Sequence, residues 1–143
     1  VELVSLLLFL RLLPACPAEG WVTSDYGYRK DPITRVRRFH YGIDIANEAG
    51  TPIRSPWSGK VVRVSTSRYK GRFVTVQSGP YRLSFFHLQE VSVSKGDQVK
   101  SGDQVGSMGS SGRATGPHVH LEMRYNGKTR DPAITLLRCP ELP

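Results

Sequence analysis

Turns interrupt this sequence too often to leave room for a long helix. Of its 143 residues, 14 are glycine and 10 are proline, and between them lie short runs rich in β-branched and aromatic residues. Lys60 to Ser65 (KVVRVS), Arg72 to Gln77 (RFVTVQ) and Tyr81 to Leu88 (YRLSFFHL) each read as a strand. Ile43 and Ile45 alternate around Asp44, which therefore faces the other way. Lys95-Gly96-Asp97-Gln98-Val99 and Ser101-Gly102-Asp103-Gln104-Val105 form a near-repeat, predicting two tight turns around a short strand. Asn126-Gly127 between strand-like runs signals a hairpin. Lys30 to Phe39 reads as a polar, basic loop, and Ser107 to Ala114 as a flexible one. The fold predicted is mainly antiparallel β.

Residues 1–13 (VELVSLLLFLRLL) are different in character, being almost wholly apolar. A membrane-spanning helix needs about 20 such residues, so this run is too short. It has the length of a signal-peptide core but neither a Met nor a basic leader. The reading preferred is a short N-terminal helix, stopped by Pro14, that packs on the domain as a latch or, through residues 1–16, on an envelope partner. The chain then divides into a leading segment, 1–19, and one domain, 20–143. Because it opens on Val1, it reads as a processed form or a piece of a longer protein.

The net charge of +8 suits an anionic partner: nucleic acid, membrane or a cell-wall polymer. The cations are scattered apart from Arg35, Arg37 and Arg38, and no nucleic-acid-binding motif is present, so a nucleic-acid partner is not expected. Cys16 and Cys139 are too far apart for a Cys-x-x-Cys pair. An intramolecular disulfide and two free thiols are both open at this point.

The chemistry lies in the four histidines, His40, His87, His118 and His120. His118 and His120 stand two apart in a strand-like run and so share a face. Alone, such a pair is weak evidence of a metal. His40 and Asp44 are four apart, and reach a common point if the chain bends at Gly42. Two histidines and a carboxylate make a zinc site that keeps a position open for water. Taken singly, His87 reads as a core histidine, Asp44 as a turn cap and His40 as an exposed loop residue. That all of these hold at once is a poorer account than one shared site.

The motifs His40-x3-Asp44, a single His87 ending a strand, and Gly116-Pro117-His118-x-His120 resemble those of the lysostaphin/LytM-type zinc peptidases. Thr23 to Arg29, Asp31-Pro32, Phe39 to Ala46, Gly50 to Ile53, Ser58 to Val62 and the Gly-Asp-Gln-Val turns extend the resemblance from about Gly20 to Ile134. It implies a LytM-type (duplicated-hybrid-motif) antiparallel β core with a groove holding one zinc ion. His40, Asp44 and His120 would be the ligands, and His87 and His118 the catalytic histidines. It also implies a metalloendopeptidase acting on peptidoglycan stem peptides in the periplasm or cell envelope of a bacterium. D,D-endopeptidase activity is favoured by the loop before His40. The alternatives are glycyl-glycine cleavage or a non-catalytic scaffold that activates a cell-wall amidase. Phe85, Gln77 and Arg35 depart from that pattern, Arg35 standing where glycine is frequent.

Overall fold

A computed structural model of the chain describes Leu3 and residues 13–140. The helix expected over 1–13 thus falls almost wholly outside the described residues. Among those residues there are twelve strands and one 3-10 turn. The strands are β1 (Trp21–Ser24), β2 (Gly27–Lys30), β3 (Arg37–His40), β4 (Ile43–Ala46), β5 (Pro52–Arg54), β6 (Gly59–Ser67), β7 (Gly71–Ser78), β8 (Tyr81–Val91), β9 (Gln98–Val99), β10 (Gln104–Met108), β11 (His118–Tyr125) and β12 (Lys128–Arg130). The turn is Pro132–Leu136. Ten strands form one antiparallel sheet in the order β1-β4-β11-β8-β7-β6-β9. β12 joins β11, and β5 and β10 pair beyond the middle of β8. β2 and β3 make a separate hairpin.

Alternation along the strands sorts the side chains. On β11, Val119, Leu121 and Met123 enter the core, as do Ile43 and Ile45 of β4. They meet Val74 and Val76 of β7, Leu83, Phe85 and Leu88 of β8, and Ile53, Val105 and Met108 from β5 and β10. The opposite parity on β4 and β11 carries Asp44, His118, His120 and Glu122. One face of these strands is therefore apolar and the other chemical.

The Gly-Asp near-repeat is the same turn built twice. Asp97 accepts the Ser94 amide at 2.9 Å, and Asp103 accepts the Lys100 amide at 2.9 Å. Gly96 and Gly102 take φ of 97° and 93°, which a side chain would oppose. Each turn delivers a valine, Val99 or Val105, to the core. Asn126 and Gly127, both at positive φ, close the β11–β12 hairpin as expected.

Two expectations need correction. Lys30 to Phe39 is not all loop, because its ends belong to the β2–β3 hairpin. Four of the eight strand residues are Arg or Lys, which hides them from a propensity reading. The hairpin is held instead by aromatic rings. Tyr28 lies opposite Phe39 with ring centroids 5.1 Å apart, and Tyr26 and Tyr41 each lie 5.0 Å from Phe39. In its loop Arg35 adopts φ 64°, which accounts for glycine being at home there. Second, Ser107 to Ala114 is fastened rather than free. Ser111 Oγ accepts the Arg72 amide at 3.1 Å and donates to the Leu88 carbonyl at 2.7 Å. Arg113 forks onto Asp31, bridging this loop to the β2–β3 loop. The Thr34 amide and this guanidinium hold the Asp31 carboxyl well below the usual carboxylate range.

Cys16 and Cys139 form a disulfide. The segment before β1 is also hydrogen-bonded to the domain, Ala15 N to Pro56 O at 3.0 Å and Arg54 N to Pro17 O at 2.8 Å. The bridge closes a loop spanning 123 positions. Cys139→Ser is therefore expected to lower stability by about 2–4 kcal/mol, read as a fall in urea midpoint. An unchanged midpoint, equal for oxidised and reduced protein, would show that the tie contributes nothing.

Candidate metal centre

His120 sits on β11 directly opposite Asp44 on β4. Cross-strand neighbours in an antiparallel pair share a face, and His120 Nδ1 lies 2.9 Å from Asp44 Oδ1. His40 arrives from the end of β3. The bend between it and Asp44 occurs at Gly42, where a Cβ would stand 2.3 Å from the Leu121 carbonyl oxygen and 2.8 Å from the His120 ring. Only glycine lets the backbone pass this close to β11. His40 Nε2 then lies 3.2 Å from Asp44 Oδ1 and 3.1 Å from His120 Nδ1.

Three donor atoms thus form a triangle with edges near 3 Å. Ligands at zinc distances of 2.0–2.1 Å in tetrahedral directions lie about 3.3 Å apart, so the triangle fits that ion. The hydrogen bonds behind the rings agree. His40 Nδ1 is 2.9 Å from the Asp25 carbonyl oxygen, which can only accept, so the hydrogen resides on Nδ1 and the lone pair points inward from Nε2. His120 Nε2 is 3.2 Å from Glu122 Oε2, and Glu122 is held in turn by Arg124 at 3.1 Å. A hydrogen on Nε2 aims the Nδ1 lone pair at Asp44. Two imidazole lone pairs and a carboxylate oxygen, all buried, converge on one point, which a cation must occupy. Without metal, a proton does so. Burial pulls the His120 pKa down, but Asp44 and Glu122 outweigh it and raise it. Burial pushes Asp44 up, but His120 and His40 hold it well below the carboxylate range.

His87 does not end its strand, since β8 continues to Val91. It is the extra residue of a bulge. Phe85 is in the core, Phe86 stacks on His120 at 4.9 Å, and Leu88 is again in the core. His87, at φ 66°, is thereby turned to the His120 side of the sheet. Its Nδ1 donates to the Ser111 carbonyl at 2.7 Å. Burial lowers its pKa to about 4, so it is neutral at pH 7. His118 Nδ1 is 2.9 Å from the Gly116 carbonyl oxygen, and the His87 and His118 rings are 4.7 Å apart. Both rings keep Nε2 for other partners. The five residues singled out from sequence come together around one groove. The bend at Gly42 is the one the sequence predicts, whereas the parts of Glu122 and Ser111 as partners of these side chains are not legible there. The one clue to Glu122 was its position, two residues beyond His120 on the same strand face.

Two outcomes follow for the metal. Glu122→Ala removes the acceptor that orients His120, and zinc affinity measured against a competing chelator is expected to fall about 10–100-fold; unchanged affinity would deny Glu122 that part. Zinc must also displace the proton held at His120. Calorimetry in buffers of different ionisation enthalpy is expected to find about one proton released near neutral pH, with affinity weakening as pH falls.

Residues 38–132 match Peptidase family M23. The chain is 36% identical over 122 residues to the DD-carboxypeptidase/endopeptidase Mpg of Neisseria meningitidis, covering 85% of this chain and 28% of that protein. It is also 36% identical over 124 residues to the peptidoglycan DD-endopeptidase ShyC of Vibrio cholerae, with the same 85% and 28% coverage. The chain therefore spans less than a third of the curated relatives it matches. Among solved structures, a zinc-containing peptidase from Vibrio cholerae superposes with TM-score 0.76 at 32% identity, covering 90% of this chain and 40% of that one. The catalytic domain of lysostaphin from Staphylococcus simulans gives 0.73 at 30% identity, covering 80% and 90%. The chain belongs to peptidase family M23, and His40, Asp44 and His120 are its zinc site.

Proposed function

We propose that this chain is a zinc endopeptidase of bacterial peptidoglycan, with residues 20–143 as its peptidase domain and residues 1–19 as the leading segment. The observation that carries the reading is the coincidence of a complete three-donor metal set with two further histidines, His87 and His118, on the same groove. A metal-binding scaffold has no need of the last two. The relatives named as DD-endopeptidases favour cleavage of D,D cross-links between stem peptides over glycyl-glycine bridges. The disulfide suits an oxidising compartment such as the periplasm.

Zinc held by His40, Asp44 and His120 would supply Lewis-acid polarisation of the scissile carbonyl and a water of pKa near 7. The remaining work falls to the chain. His118, fixed through Nδ1 to Gly116, presents Nε2 to accept a proton from the attacking water. His87, neutral by burial, holds its ring against His118 and offers a second acceptor. Between them a proton passes to the departing amine nitrogen. Ser111 fixes the His87 ring, so that loop and bulge set the acceptor's direction.

His118→Ala and His87→Ala are each expected to lower the rate of muropeptide release from purified peptidoglycan by about 100-fold or more while zinc content is kept. Asp44→Ala is expected to lose both zinc and activity. Zinc-loaded wild type that releases no muropeptide monomers would overturn the reading.

A further inference from the structure

The groove extends to two sides of the metal centre, and the two sides differ in charge. The lobe bounded by His87, His118 and Thr115 to Pro117 has a volume of ≈330 Å³. Its only cations among the described residues, Arg29 and Arg113, which line the wider lobe as well, each face a carboxylate, Asp44 at 3.9 Å and Asp31 at 3.1 Å. The wider lobe, ≈1120 Å³, lies between the β2–β3 hairpin and the β11–β12 edge. Its two carboxylates, Asp31 and Glu122, are paired with Arg113 and Arg124, but five further cations, Arg37, Arg38, Lys70, Lys128 and Arg130, also line it, and among the described residues none of these five has a carboxylate within ion-pair distance.

Lys70 is the innermost of them. It is half-buried, and its ammonium rests on two aromatic faces, 4.8 Å from the Phe73 centroid and 5.2 Å from Phe86. Phe86 is the ring stacked on His120. The charge therefore stands one ring from the metal centre, with π-faces for company. A half-buried, strongly hydrated ammonium without an anion is costly to hold. A ligand carboxylate entering the lobe would give it a charge-assisted hydrogen bond. The outer cations would draw the same anion in over a longer range, subject to salt.

We propose that the wide lobe is a carboxylate-binding subsite with Lys70 as its specificity-determining residue. It takes the arm of the peptide substrate that carries free carboxylates, and this rests on the hydrolase reading above. The test uses the zinc-loaded full chain and two synthetic cross-linked peptide dimers, identical except that the side-arm carboxylates are free in one and amidated in the other. Wild type is expected to favour the free acid about tenfold or more in kcat/KM. Lys70→Met is expected to lose that preference through KM, with kcat unchanged, and Lys70→Arg to restore most of it. Equal cleavage of the two dimers by wild type, or an equal loss on both in Lys70→Met, overturns the subsite and leaves the hydrolase standing. Binding of the same dimers, followed by calorimetry, separates the two ideas. Carboxylate-dependent binding without cleavage supports the subsite against the hydrolase reading, and neither binding nor cleavage overturns both.

Discussion

Everything at the metal centre hangs on one cross-strand register, Asp44 opposite His120. The register is not set by the polar pair. Ile43, Ile45, Val119 and Leu121 occupy the other face of the same two strands and are buried. Slipping β4 by one residue would carry Ile43 and Ile45 out of the core and the Asp44 carboxylate into it. The apolar face thus fixes the geometry of the chemical one, and burial free energy holds three donors at separations that electrostatics alone would push apart. Two lone pairs and a carboxylate do not assemble by mutual attraction. They are assembled by the core and then neutralised by a cation.

The second constraint is the break in alternation at His87. A regular β8 would send His87 into the apolar core with Phe85. The bulge inserts one residue, lets Leu88 recover the core side, and leaves His87 on the groove. Positive φ at a non-glycine residue carries a conformational cost, and the surroundings oblige it. The His87 amide donates to the Lys70 carbonyl, and its ring to the Ser111 carbonyl. Gly71 and Gly112 pack backbone to backbone nearby, where a Cβ on either would fall within 2.6 Å of the other segment. The loop that looked free in sequence is therefore the clamp on this histidine.

Electrostatics then divides the groove. On one side of the metal centre every cation is paired with a carboxylate. On the other, five further basic side chains have no carboxylate within ion-pair distance among the described residues. The net charge of +8 is thus more than an aid to solubility, since part of it is concentrated beside the reacting centre. The rings of Phe73 and Phe86 hold the Lys70 ammonium one ring away from His120.

The sequence by itself determined the β architecture and the turn positions, which follow from short-range rules: period-two alternation, and glycine and asparagine at positive φ. It narrowed the metal donors to four histidines and Asp44, and the choice of His40, Asp44 and His120 among them came through the resemblance of its motifs to a known family. It was silent on the β2–β3 hairpin, whose basic strands are held by aromatic rings that only tertiary contact brings together. It could not announce the bulge, because a residue added to a strand leaves no mark in composition. Nor could it pair Arg113 with Asp31 across 82 positions or give Glu122 its place behind His120. Tertiary structure decided these because each depends on which segments lie side by side, and that is settled by burial of the whole apolar face rather than by any local run.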